Sequence, residues 1–155
     1  RYDDLSLRIP FFGEFLKKIY LVRFAENIST LISAGLSINS ALKITKDTVE
    51  NNVYKNIISD TEQKVSQGEK MSFVLVRYPK QVPPFVVQMV QVGEETGRLD
   101  KNLMEIVNFY NKEVKRSVET FTSMLEPFLI VFLGIVVSLL AISIIEPLYG
   151  ALGTI

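Results

Sequence analysis

"QVGEETGRLD", residues 91 to 100, decides between two kinds of fold. Gly93 and Gly97 enclose Glu94, Glu95 and Thr96, and Arg98, Leu99 and Asp100 follow. One reading is a loop that cradles phosphate; the other is a joint between helices. A phosphate loop needs four residues between its glycines and a lysine followed by a hydroxyl. Here three residues separate the glycines, and Arg98 is followed by Leu99. Two carboxylates would also repel a bound phosphate, and no strand pattern precedes them. The stretch therefore reads as a joint: Gly93 lets two helices approach closely, and Gly97 takes positive φ where the chain reverses.

Periodicity on either side supports helices. Leu21, Phe24, Ile28 and Leu31 form one apolar stripe at helical spacing, which stops at Gly35, a second turn glycine. Ser37 is placed as the N-cap of a short helix carrying Ile38, Ala41 and Leu42. Tyr54, Ile57, Ile58, Thr61 and Val65 make a third stripe ending at Gly68. Ser72 is the expected cap of a brief fourth helix that Pro79 breaks, although "FVLVRY" (73–78) also fits a strand. Pro83 and Pro84 suit the first turn of a fifth helix carrying Phe85, Val86, Met89 and Val90. A sixth starts near Leu99 and carries Leu103, Val107, Tyr110, Val114, Val118, Phe121 and Leu125. Short Gly or Pro joints between such elements imply an all-α fold, an antiparallel bundle of about six helices followed by one transmembrane helix.

That last helix is read from residues 127–145, "PFLIVFLGIVVSLLAISII", about nineteen residues without a charge. At 1.5 Å per residue they nearly match a hydrocarbon core of roughly 30 Å. All lysines and arginines precede it, with Lys112, Lys115 and Arg116 a few turns away. The positive-inside rule then puts residues 1–125 in the cytoplasm, the span at 126–147 and a short tail, 148–155, outside. Gly134, Ser138 and Ala141 fall at spacings of four and three, which puts small residues on one face where another helix can pack; a lipid-facing helix also tolerates them. Glu126 and Pro127 stand at the membrane edge. The carboxylate is either hydrated among headgroups or paired with a basic group of a neighbouring subunit, and the proline is placed to kink the join.

Composition narrows the chemistry. The 155 residues are 48% apolar and 22% charged, which suits one packed domain plus an appendage. Seventeen basic and seventeen acidic residues cancel, so no overall field draws in nucleic acid. The chain holds neither cysteine nor histidine. This excludes disulfides, zinc sites of the usual ligand sets, cysteine nucleophiles and histidine bases. Glu94, Glu95 and Asp100 are the clustered acids, a weak signal for a carboxylate metal site. The start at Arg1, with no initiator methionine, leads to the expectation of a piece of a longer protein.

"VGEETGRLD" (92–100) followed by Leu103, "FYNKEV" (109–114) and "EP" (126–127) opening a span closely resembles the type II secretion system F-domain family. So do "RFAENISTLISAGLSINSAL" (23–42), "VSQGEKMSFVLVRYP" (65–79) and "VPPFVVQMVQVGEETG" (82–97). The likeness runs from about Pro10 to Leu148. Thr96 stands where serine is frequent, and Glu26 where relatives are often basic. Members carry two helical domains and three spans, and this chain is similar to the second domain with the last span.

The resemblance implies a non-enzymatic scaffold of the bacterial inner membrane, without cofactors. It implies as partners a hexameric assembly ATPase, pilin or pseudopilin subunits, other inner-membrane assembly proteins and a second copy in a homo-oligomer, but no nucleic acid. Glu94, Glu95, Arg98 and Asp100 are the partner-docking candidates, because a turn needs glycine but not two adjacent acids; Arg98 is their expected counter-charge. The rival reading is a membrane-anchored helical signalling or sensor module, which fits poorly with short helices and no histidine.

Overall fold

The computed structural model describes residues 10–152. It forms six helices: α1 (Pro10–Ser33), α2 (Ile38–Thr48), α3 (Asn52–Ser66), α4 (Met71–Leu75), α5 (Pro84–Thr96) and α6 (Leu99–Leu152). No strand occurs among the described residues. The chain divides into two compact units, Arg1–Lys115 and Arg116–Ile155.

Local chemistry sets the boundaries in the first unit. Gly35 (φ 92°) ends α1 in the left-handed region, its N–H donating to Ile32 O at 2.9 Å while Leu36 N–H reaches Leu31 O at 3.1 Å. Ser37 caps α2, its Oγ accepting the N–H of Ser40 at 3.2 Å. Buried Asn51 caps α3, its Oδ1 accepting the N–H groups of Val53 at 3.0 Å and Tyr54 at 3.2 Å. Pro83 and Pro84 start α5, as their fixed φ favours.

The fourth helix departs from expectation. "FVLVRY" is not a strand: Met71–Leu75 is helical and Val76 to Tyr78 continue into a turn. Nor is Ser72 the cap. The N-cap is Lys70, which offers no side-chain acceptor, while Ser72 lies inside the helix, buried. Among the described residues its hydroxyl has no hydrogen-bond partner. The N–H groups of Met71 and Ser72 are instead satisfied from another helix.

Contacts between elements show the antiparallel packing. Ser29 and Ser33, late in α1, meet Asp100 at the start of α6, and Lys18, earlier in α1, meets Glu113 further along α6. Likewise Asn102 of α6 reaches Met89 of α5, beyond the closer pair Gly93 and Leu99. The stripes converge on one core. Leu21 and Ile28, Leu42, Ile58, Met71 and Leu75, Val86 and Val90, and Leu103 and Ile106 are each at most 2% exposed. Burying each large apolar side chain contributes about 1.5–3 kcal/mol. Ile106 belongs to this core although the stripe 103, 107, 110 omits it.

The second unit is helical throughout its described length, as part of α6. Val118, Phe121 and Leu125, which extend the stripe of the sixth helix, are 50%, 53% and 42% exposed. Pro127 and Pro147 both lie inside the helix, so Pro127 removes one backbone hydrogen bond without ending the element. The helix is long and apolar enough to cross a membrane, and none of its most apolar stretch is buried. The expected tail, 148–155, lies partly outside the described residues; the helix itself extends to Leu152.

Candidate partner-docking site

The stretch 91–100 forms the last turns of α5, a two-residue reversal at Gly97 and Arg98, and the first turn of α6. Gly97 has φ 67°, and the N–H groups of Gly97 and Arg98 both turn back to Gly93 O. This left-handed closure satisfies carbonyls that the helix end would otherwise leave open. Gly93 is buried inside α5. A Cβ there would lie 2.8 Å from Leu99 Cα and 3.0 Å from Leu99 Cδ1. Only glycine lets the two helices meet at this distance. Asn102 locks the same crossing by donating from Nδ2 to Met89 O at 3.0 Å.

The acids do not form a loop cluster. Glu94 and Glu95 occupy the final helical turn, and their side chains part company. Glu94 is half-buried, and its two oxygens accept the backbone N–H groups of Met71 at 2.6 Å and Ser72 at 3.2 Å. It therefore supplies the cap that α4 lacks in its own sequence. A carboxylate is well suited to a helix start, where open N–H groups and the helix dipole favour negative charge. Glu95 is exposed and accepts from Gln91 Nε2 at 3.1 Å within its own helix.

Asp100 is half-buried and faces α1. Its backbone oxygen accepts the Ser29 hydroxyl at 2.7 Å, and its Oδ2 accepts that of Ser33 at 3.4 Å. Arg98 is exposed and, among the described residues, makes no ion pair within 4.0 Å. The expected counter-charge contact to the glutamates is therefore not made. The structure thus separates the four docking candidates by orientation. Glu94 and Asp100 face other helices, whereas Glu95 and Arg98 face outward on either side of Gly97.

The tyrosines of the body carry its resolved electrostatic shifts. Burial pushes the Tyr54 phenol well above its ordinary 10.0, with smaller contributions from Tyr110 and Tyr20. Its hydroxyl donates to Gln81 O at 3.1 Å. A hydrogen bond donated to Asp60 at 2.7 Å raises Tyr78, and burial raises Tyr110. In the second unit, Gly134, Ser138 and Ala141 are all exposed, and Ser138 Oγ donates back to Gly134 O at 2.7 Å. Glu126 and Pro127 are exposed as well.

Ser29, Asn51 and Asn102 escaped the sequence reading. Asn51 carried a usable signal, standing one residue before the third helix where caps belong. Ser29 and Asn102 carried none, because each bonds a backbone group far away in sequence.

The chain matches the family described as "Type II secretion system (T2SS), protein F" over residues 24–147. It is 38% identical over 153 residues to the type IV pilus assembly protein PilC of Thermus thermophilus, covering 99% of this chain and 38% of that protein. With the type IV pilus assembly protein PilC of Myxococcus xanthus it shares 36% over 154 residues, 99% of this chain and 37% of the relative. With the type II secretion system protein F of Pseudomonas aeruginosa it shares 26% over 148 residues, 96% and 36% respectively. The chain spans less than two-fifths of the length of these relatives. A family match across both the helical body and the apolar stretch, on a fold of the expected class, leads to one assignment: the chain belongs to the type II secretion system protein F family.

Proposed function

We propose that this chain is the second helical domain and last span of a non-enzymatic platform in the bacterial inner membrane, one that couples a cytoplasmic assembly ATPase to pilin or pseudopilin insertion. The setting is type IV pilus assembly or type II protein secretion. The carrying observation is the family match over residues 24–147, which takes in an unburied apolar stretch after the closed helical body. An apolar face of that length needs a bilayer as its solvent. The basic residues all precede it, which supports a cytoplasmic body over residues 1–125, a span over 126–147 and an external tail.

Glu95 and Arg98 are the outward groups of the α5–α6 joint and serve as the docking point for the motor or another assembly protein. Gly134, Ser138 and Ala141 form the strip on which a pilin or a second copy packs within the bilayer.

Reporter fusions and assembly assays test the reading. A reporter placed after Ile155 is expected to be active only outside the cytoplasm, and one near Gly68 only inside. Deleting the gene is expected to stop fibre formation or secretion and to leave pilin in the membrane. Normal assembly in the deletion strain overturns the platform role, and the reverse reporter pattern overturns the contact with a cytoplasmic motor.

A further inference from the structure

We propose that residues 117–126, the neck of α6 just before the span, lie obliquely against the inner face of the bilayer, with one apolar arc sunk into the boundary between lipid headgroups and acyl chains. The inference rests on the span reading and concerns only the second unit. Val118, Phe121, Met124 and Leu125 are between 42% and 66% exposed, a continuous apolar face of the kind that marks a membrane or partner contact. At about 100° per residue, these four and Phe128, the second residue of the uncharged stretch, fall within one arc of about 120°. Glu119 and Ser123 lie at the middle of the opposite side, with Glu126 close to them, and all three are exposed. The neck is therefore amphipathic, the form that lets a helix lie in a bilayer surface with its apolar face sunk by roughly 5–10 Å and its polar face in water.

Lipid suits this arc better than another helix does. The arc runs without a break into the span at Phe128, so the bilayer already adjoins it. Its side chains are large, whereas helices that pack together in membranes favour small residues at the contact. Thr122, at the edge of the arc, donates its hydroxyl to Val118 O at 2.9 Å and brings no open donor into the interface. Lys115 and Arg116 stand at the far end of the neck, where long cationic side chains reach headgroup phosphates. An upright, straight neck would waste the arc: Val118 stands eight residues before Glu126, about 12 Å along the axis, and the headgroup layer is only roughly 5–8 Å deep on each side. Pro127 is placed to supply the bend. It has no N–H for Ser123 O, and its ring presses on that carbonyl. The helix opens on the side of Ser123 and Pro127 and bends towards the other, which turns the side of Val118 and Leu125 up to the membrane.

This chain has no cysteine, so spin labels can be placed in it one at a time. Val118→Cys, Phe121→Cys and Leu125→Cys on the arc, Glu119→Cys and Ser123→Cys opposite, and Val137→Cys as a reference within the span are introduced singly into the full protein. All six positions are exposed, so the fold is not at stake. Each labelled protein is placed in nanodiscs of phosphatidylethanolamine and phosphatidylglycerol, and collision of the nitroxide with oxygen, which enters lipid, is compared with collision with a water-soluble nickel chelate. Nickel collision is expected to be lost at 118, 121 and 125 and kept at 119 and 123, with oxygen collision in the opposite phase, so that both oscillate with a period of about 3.6 residues. Loss of both collisions on the arc shows that protein covers it, another segment or a second copy, and overturns the proposal. Nickel collision at all five neck positions places the neck in water, and oxygen preference at all five places it upright within lipid; either result overturns the oblique contact and leaves the span standing. Nickel collision at 137 overturns the span and the proposal together.

Discussion

The Glu94 carboxylate accepts the backbone N–H of Met71 at 2.6 Å, so the start of α4 is capped by a side chain 23 positions later in the chain. Capping is ordinarily local, from a Ser, Thr, Asp or Asn at the helix boundary. Here Lys70 holds that position and has nothing to accept with. The cap is at the same time a contact between α4 and α5, and removing it weakens both.

Replacing Glu94 by alanine is expected to lower the stability of the body by about 1–3 kcal/mol, since two N–H groups at a part-buried site lose their acceptor. Glu94→Gln keeps one acceptor oxygen and is expected to recover part of the loss. Denaturant midpoints of the three proteins decide it. Equal midpoints for wild type and Glu94→Ala would show the contact to be worth nothing.

Gly93 and Gly97 are expected to fail for different reasons and by different amounts. Alanine at 93 places a methyl 2.8 Å from Leu99 Cα, a backbone atom that moves only with the helix, and about 1–3 kcal/mol or more is lost. Alanine at 97 meets no atom within 4 Å but must hold φ near 67°, at a cost of about 1 kcal/mol. A larger loss at 97 than at 93 contradicts the close-approach argument.

Glu95 and Arg98 make a contrasting pair with Glu94. Their side chains are exposed, and replacing both by alanine is expected to shift stability by no more than about 0.5 kcal/mol. Pilus or secretion output is expected to fall sharply if the joint docks a partner. Full assembly in the stable double variant would leave the joint as architecture only.

Tyr54 supplies a pH prediction. Its phenol is raised in the folded state above the ordinary 10.0, so folding favours the neutral form. The associated stability is complete below about pH 10 and is lost as pH rises from there towards the folded pKa. Tyr78 and Tyr110 act with the same sign. The denaturation midpoint is therefore expected to fall above about pH 10. Tyr54→Phe should soften that fall while costing about 1 kcal/mol at neutral pH through the lost bond to Gln81 O. An equally steep alkaline fall in the variant would place the effect on other groups.

Helices and core were legible because both follow from periodicity. Leu21, Phe24 and Ile28 recur at helical spacing and are buried, and Gly35, Gly68 and Gly97 take the positive φ that their positions announce. The site was legible only in part. Two adjacent acids look alike in sequence, yet successive residues on a helix diverge by about 100°. That turn sends Glu94 to α4 and Glu95 to solvent. Ser72 had the residue type of a cap two positions too late, and the true acceptor lay on another helix, where no local pattern points.

The borrowed cap also bears on the order of assembly. Five residues are far too few for a helix to persist alone, because nucleation alone outweighs the few bonds such a segment can form. Without Glu94 in place the N–H groups of Met71 and Ser72 lose their acceptor, and Glu94 is in place only once α5 has docked. Segment 71–75 is therefore expected to order after α5 and to share its opening equilibrium. Amide hydrogens at Met71 and Ser72 should then exchange with solvent at the rate of a distant helix's undocking rather than at the rate of local fraying.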